Sequence, residues 1–162
     1  MQDFFYKMID NETYAVMSYE GDEAEVVVPD IYNGKPVTLL ADNLFAGHRE
    51  ITSVSIPDSV TDIGGFVFDG CENLHHIDLP KELQNLWQYA FVRSSIEEIV
   101  LPEHMKSLVS FTFKDCRLLK RVVCNPGLRR IYAWAFSGCD QLEDVVYGSG
   151  TEVSEEAFRQ KK

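Results

Sequence analysis

The sequence predicts a β-rich repeat solenoid, with short parallel strands joined by tight helical or 3-10 turns and a β-hairpin cap at the N-terminus. Three observations predict it. Phe45, Phe68, Phe91, Phe113, Phe136 and Phe158 recur at intervals of 23, 23, 22, 23 and 22 residues. Further apolar columns keep the same period, and Pro57, Pro80 and Pro102 hold one fixed place in it. A period of 20–50 residues marks stacked supersecondary units, none of which can bury its apolar face alone.

The first element is the cap, residues 1–28. Phe5–Ile9 and Thr13–Tyr19 read as strands around Asp10-Asn11-Glu12, a composition suited to a tight turn. A second turn at Glu20-Gly21-Asp22 leads into Val26-Val27-Val28-Pro29.

Residues 29–158 then hold about five to six repeats of 22–23 residues, followed by a tail, 159–162. One unit reads I-x-x-V-x-I-P-x-x-V-x-x-I-x-x-x-x-F-x-x-C. Ile51, Leu74, Ile96, Leu119 and Leu142 open it, and Val54, Ile77, Ile99, Val122 and Val145 follow. Ile56, Leu79, Leu101 and Cys124 stand twelve residues before a phenylalanine. This stretch alternates near its end, as a strand with one face inward does. Proline then ends the strand, because it has no N–H to give to a ladder. Val60 with Ile63, Leu83 with Leu86, Met105 with Leu108 and Leu128 with Ile131 lie on the return path, and a tight turn is expected near each phenylalanine. The two short intervals have local causes. Val92-Arg93-Ser94-Ser95 has lost one residue and the repeat cysteine, and Gly148-Ser149-Gly150 replaces the proline segment before Phe158.

At these residues the sequence resembles the BspA-type leucine-rich repeats common in bacteria. The resemblance is carried by Ile51 through Gly64 (ITSVSIPDSVTDIG), by Ala135-Phe136-Ser137-Gly138-Cys139, and by Asn33 through Thr38 (NGKPVT), which is similar to the family's opening repeat. It covers about residues 26 to 158. It implies a parallel-strand solenoid that binds a protein or a surface, and it supplies no catalytic residues. Larger members are often surface adhesins.

Composition narrows the function. The 162 residues carry 15 basic and 26 acidic side chains, a net charge of −11, and the mean hydropathy is −0.16. That balance disfavours nucleic acid and anionic membrane surfaces and favours basic partners. No apolar run approaches the roughly 20 residues of a membrane span, so no membrane insertion is expected. The N-terminal MQDFFYKMIDNE lacks the basic lead-in of a secretory signal, so a cytoplasmic location is expected, or a secreted or cell-surface one if a signal peptide has been removed.

Candidate chemistry resolves mostly into the repeat. Cys71, Cys116 and Cys139 each follow a repeat phenylalanine by three, so their spacing is the repeat's own, and Cys124 sits in the inward strand column. Free thiols at such places behave as small buried hydrophobes. Cys71 with His75 and His76 is the best metal lead, but adjacent strand residues point apart and no second cluster adds ligands. Tyr147-Gly148-Ser149-Gly150 lacks the sequence and setting of a nucleophile elbow. No phosphate-binding glycine motif is present, and the acids are scattered. The chain is therefore read as non-enzymatic, with no metal and no cofactor.

Two surfaces are candidates for binding. The residues between core positions of each strand are expected on the concave side. One column is Ser53, His76, Glu98, Arg121 and Asp144, and the next is Ser55, Asp78, Val100, Val123 and Val146. Three stacked valines would make an apolar strip rimmed by charge, as contact sites often are, although valine also simply favours strands. The second candidate lies two residues before each repeat phenylalanine, where Phe66, Tyr89, Phe111 and Trp134 would stack as a ladder. That ladder either shields the coil or offers an aromatic strip to protein or sugar. The function expected is a protein–protein interaction module, with a carbohydrate or cell-surface binding module of adhesin type as the alternative. No full cap is visible at the C-terminus. The last coil is expected either to self-associate or meet further sequence, or to end in a frayed tail kept soluble by Arg159, Lys161 and Lys162.

Overall fold

A computed structural model of the chain describes residues 2–159; Lys161 and Lys162, and with them most of the expected tail, lie outside the described residues. The strands are β1 (Asp3–Ile9), β2 (Thr13–Glu20), β3 (Glu25–Val27), β4 (Ile31–Tyr32), β5 (Lys35–Leu40), β6 (Ser53–Ser55), β7 (Asp62–Ile63), β8 (Asn85–Leu86), β9 (Glu98–Val100), β10 (Ser107–Leu108), β11 (Arg121–Val123), β12 (Arg130–Ile131), β13 (Asp144–Val146) and β14 (Glu152–Val153). They wind as a parallel β-solenoid. One side is built from β3–β6 and from β9–β11–β13; the other runs β1–β2–β5–β7–β8 and then β10–β12–β14.

The hairpin β1–β2 is antiparallel, and β2 joins the solenoid by pairing parallel with β5. Its turn has positive φ at both Asp10 (48°) and Asn11 (64°), the backbone whose twist matches that of the flanking strands. Asn33 and Gly34, also both at positive φ, turn β4 back onto β5 in the same way.

The return path carries something the periodicity did not separate from a loop. The coils have a second, two-residue strand there, and within each of the two stretches β7–β8 and β10–β12–β14 neighbours pair in parallel register: Asp62 opposite Asn85, Ser107 opposite Arg130, and Arg130 opposite Glu152. The segments around each phenylalanine are hydrogen-bonded turns, and no helix occurs among the described residues. Asp69 N–H donates to Phe66 O at 3.1 Å and Cys71 N–H to Phe68 O at 3.2 Å. Left-handed residues two before and two after Phe45, Phe68, Phe91, Phe113 and Phe136 bracket these bonds, as Phe66 (φ 59°) and Gly70 (φ 71°) do around Phe68. A right-handed helix cannot pass through such residues.

The core is one cluster running the length of the solenoid. Phe45, Phe68, Phe91, Phe113 and Phe136 are fully buried and stack ring on ring, with centroids 4.8–5.9 Å apart. Ile51, Leu74, Ile96 and Leu119 at the strand entrances, and Val60, Ile63, Leu83, Leu86, Met105 and Leu108 on the return path, are buried beside them.

One strand expected from the pattern is missing. His76–Asp78 has the sequence of its equivalents, yet it forms no ladder with β6 or β9. The opposite side breaks as well, between β8 and β10. Both gaps flank the coil that lost a residue after Phe91.

Candidate functional site

On the first strand side, alternation turns Val54, Ile99 and Val122 inward and presents their neighbours to solvent. Ser53, His76, Glu98, Arg121 and Asp144 are all exposed. Val100 is 63% exposed, Val146 40%, and Val123 half-buried between them. The register sets Val100 against Val123 and Val123 against Val146, so the three form one apolar strip. Val27, 61% exposed and opposite Ser55, continues the column at the far end.

Beside the strip runs a groove of about 570 Å³, lined by Val100, Leu101, Pro102, Val123, Cys124 and Pro126, with Lys81, Glu82 and Glu103 at its rim. Part of the rim charge is internally matched: Arg121 Nε donates to Asp144 Oδ2 at 3.0 Å. His76 and Asp78 share no strand ladder with the strip, although they line a hollow of about 250 Å³ together with Glu98 and Val100. They lie in the gap between β6 and β9, outside any strand, and bond to each other, Nε2 to Oδ1, at 3.0 Å. The binding column expected from the sequence therefore begins, as a continuous sheet face, at Glu98 and Val100.

The second candidate, the ladder of Phe66, Tyr89, Phe111 and Trp134, forms as a stack. Successive centroids lie 4.9, 5.2 and 5.7 Å apart, with rings within 11° of parallel. All four residues have φ between 59° and 64°, a backbone that bulky side chains seldom adopt. Each inner ring covers the faces of its neighbours, so mainly ring edges meet solvent. That geometry offsets turn strain by stacking and leaves little open ring face.

The thiols are structural. Cys71, Cys116 and Cys139 each donate to the carbonyl of the phenylalanine one coil earlier: Phe45, Phe91 and Phe113, at 3.3, 2.9 and 3.0 Å. Where the coil lost its cysteine, the buried Ser94 takes the place, 3.6 Å from Cys116 Sγ. Burial pushes the Cys71 thiol up to about 12 and Cys124 up to about 11, and a hydrogen bond with the free Cys116 thiol, together with burial, raises Cys139. Such thiols carry almost no thiolate and are poor nucleophiles. Among the described residues, no three His, Cys, Asp or Glu side chains gather as a metal would require. No helix among them is long and apolar enough to cross a membrane.

At the C-terminal end, β13 pairs only with β11 and β14 only with β12 among the described residues. Phe158 stacks on Phe136 at 5.3 Å but stays 49% exposed, and Tyr147 is 45% exposed. Sequence reasoning overlooked Trp87, which is 48% exposed. The signal was there: the position four before each repeat phenylalanine reads Ala41, Gly64, Trp87, Val109, Tyr132 and Ser154, and tryptophan is out of scale in that column.

The chain matches a family model described as the BspA type leucine rich repeat region, in six copies over residues 38–162. No curated protein matches it. Among solved structures it is similar to a leucine rich cell surface protein from Faecalibacterium prausnitzii A2-165 (25% identity, TM-score 0.78), covering 89% of this chain and 38% of that one. It is also similar to a leucine-rich repeat protein of T. pallidum (28% identity, TM-score 0.71), covering 90% of this chain and 83% of that one. The pneumococcal vaccine antigen PcpA shares the fold at 18% identity and a TM-score of 0.68, over 96% of this chain and 49% of that one. The chain thus spans well under half of the Faecalibacterium protein.

Proposed function

The chain belongs to the BspA-type leucine-rich repeat family, and on that premise we propose that it is a non-catalytic protein-recognition module that binds through the outer face of β9, β11 and β13. The observation that carries this reading is the strip of Val100, Val123 and Val146. Three β-branched side chains stack on an open sheet face beside an apolar groove, with Glu98, Arg121 and Asp144 along one edge. An apolar centre with a polar rim is the usual anatomy of a contact surface. The acidic balance of the chain supports a basic partner.

The test replaces Val100, Val123 and Val146 together by Ser. Val100 and Val146 are exposed and Val123 is half-buried, so the three substitutions together should cost about 1–2 kcal/mol and leave the variant folded. A protein captured from the source cell by the parent should then bind the triple variant at least about tenfold more weakly, since a few central contacts dominate such interfaces. Undiminished binding by a folded triple variant refutes the assignment.

The cell-surface alternative draws support from the similarity to a leucine rich cell surface protein of Faecalibacterium prausnitzii. End-to-end association with a second copy, or with further coils of a longer chain, draws support from the open edges of β13 and β14 and the half-exposed Phe158. Light scattering across a concentration series tests association between copies; a monomer mass throughout rules it out.

A further inference from the structure

Trp87 stands immediately after β8, on the side of the solenoid away from the valine strip. Hollows of about 660 and 240 Å³ open against it, and Asp42 borders both. The floor is backbone. A β-carbon at Gly64 would come within 2.8 Å of Asp42 N, and one at Gly65 within 2.9 Å of Gln88 O, so neighbouring coils approach too closely there for any side chain. The indole therefore rises beside a bare floor, with Met17 and Phe66, both also exposed, at the margins.

The charge of this cleft is one-sided. Its charged lining residues are Asp42 and Asp62. One Asp42 oxygen accepts the Gly65 N–H at 2.8 Å. Asp62 accepts from Thr61 Oγ1 at 2.7 Å and from Asn85 Nδ2 at 2.9 Å. These partners are neutral, and neither carboxylate forms an ion pair with a lysine, arginine or histidine among the described residues. An exposed aromatic wall next to two carboxylates without counter-ions complements one kind of group: a planar cation that can lie on the indole and fork onto a carboxylate.

We propose that the Trp87 cleft is a second recognition site, for an arginine side chain presented by a partner protein, with the guanidinium stacked on Trp87 and paired with Asp42. Guanidinium is weakly hydrated, stacks on aromatic faces and matches a carboxylate in two-point geometry, which an ammonium does not. The site depends on none of the residues of the valine strip.

The probe is the peptide Ac-Gly-Arg-Gly-NH2, read by the indole N–H resonance of Trp87 in the intact chain, assigned with Trp87→Phe. The peptide should shift this resonance saturably and leave that of Trp134 in place. The peptide with citrulline for arginine keeps the shape without the charge and should bind about tenfold or more weakly. Asp42→Asn keeps the acceptor for Gly65, so the turn is preserved, and should weaken arginine binding about three- to tenfold. Val100→Ser should leave it unchanged, which separates a failure here from a failure of the strip. The proposal is overturned if the citrulline peptide binds equally, if Asp42→Asn has no effect, if no saturable shift develops, or if a neutral oligosaccharide occupies the indole and the arginine peptide does not.

Discussion

The turn side and the two strand sides of this solenoid answer the same one-residue deletion differently. Next to the short coil after Phe91, both strand sides lose their pairing, between β6 and β9 on one side and between β8 and β10 on the other. On the turn side the backbone bonds made by the repeat phenylalanines run through without a break. Phe68 N–H donates to Ala90 O at 2.9 Å, Phe91 N–H to Thr112 O at 3.0 Å and Phe113 N–H to Ala135 O at 3.0 Å. The rings of Phe68, Phe91 and Phe113 continue through, as do those of Phe66, Tyr89 and Phe111. Continuity from coil to coil is therefore held by the turns and their two aromatic columns. The strands, two or three residues long in these coils, add local pairing where the coil length permits it.

The largest expected effect breaks that spine at its centre. Phe91 is fully buried, with rings at 4.8 and 5.5 Å on either side, in the coil where strand pairing is weakest. Phe91→Ala should cost about 3–5 kcal/mol in urea unfolding, as ring deletions in packed cores do. Phe158→Ala removes a half-exposed ring with one stacked neighbour and should cost well under half as much. Equal losses at the two positions would show that the column is not what carries the fold.

The second effect separates the two aromatic columns. Tyr89 is less buried than Phe91 and holds φ at 63°, while its ring stacks at 4.9 and 5.2 Å. Tyr89→Ala forfeits both stacks and keeps the backbone strain, so it should cost about 1–2 kcal/mol. Tyr89→Asn, which accepts the left-handed backbone more readily, should cost less than Tyr89→Ala in the same titration. A larger loss for Asn than for Ala would mean that the ring is retained for packing alone.

Much of this was legible in the sequence, for an identifiable reason. Side chains that meet the same column in every coil leave a fixed period, so the phenylalanines, the strand entrances and the ladder could all be read from spacing. The exposed valines could too, because strand alternation fixes their face. The lost pairing at His76–Asp78 could not, since Leu74, Ile77 and Leu79 keep the pattern and only backbone geometry fails. The left-handed turn residues were hidden as well: Phe66, Tyr89 and Trp134 look like any aromatic column, and nothing in their identity announces φ near 60°. Trp87 could be read only as an exception within its column, since a single event leaves no period of its own.

A third effect tests the interrupted ladder directly. The amides of His76, Ile77 and Asp78 have no backbone acceptor among the described residues, whereas Val122 lies in the middle strand of β9–β11–β13. In native-state hydrogen exchange, the amide of Ile77 should exchange at least about tenfold faster than that of Val122, although both side chains are buried. Matching protection would mean that the strand forms in solution and that the sheet face extends to His76 and Asp78.

The smallest effect isolates the strain itself. Two residues after each of the first five repeat phenylalanines the backbone is left-handed, and the sequence there is Gly47, Gly70, Arg93, Asp115 and Gly138. Two of the five carry side chains at φ 57°. Arg93 has compensation, because its guanidinium donates to both oxygens of Asp69 at 2.9 and 2.8 Å, and Asp69 is largely buried. Asp115 forms no ion pair among the described residues, and its side chain crowds the place where Gly138 would carry a β-carbon. Glycine relieves roughly 1 kcal/mol of left-handed strain, and part of that gain is returned through the greater freedom of the unfolded chain. Asp115→Gly should therefore raise stability by about 0.5 kcal/mol, while Arg93→Gly, which also gives up a two-point ion pair, should lower it. The two variants place the same residue on the same backbone angle one coil apart, so a difference in sign measures the Arg93–Asp69 pair alone. If both stabilise equally, that pair contributes nothing, and the turn side is held by its rings and backbone bonds without help from surface charge.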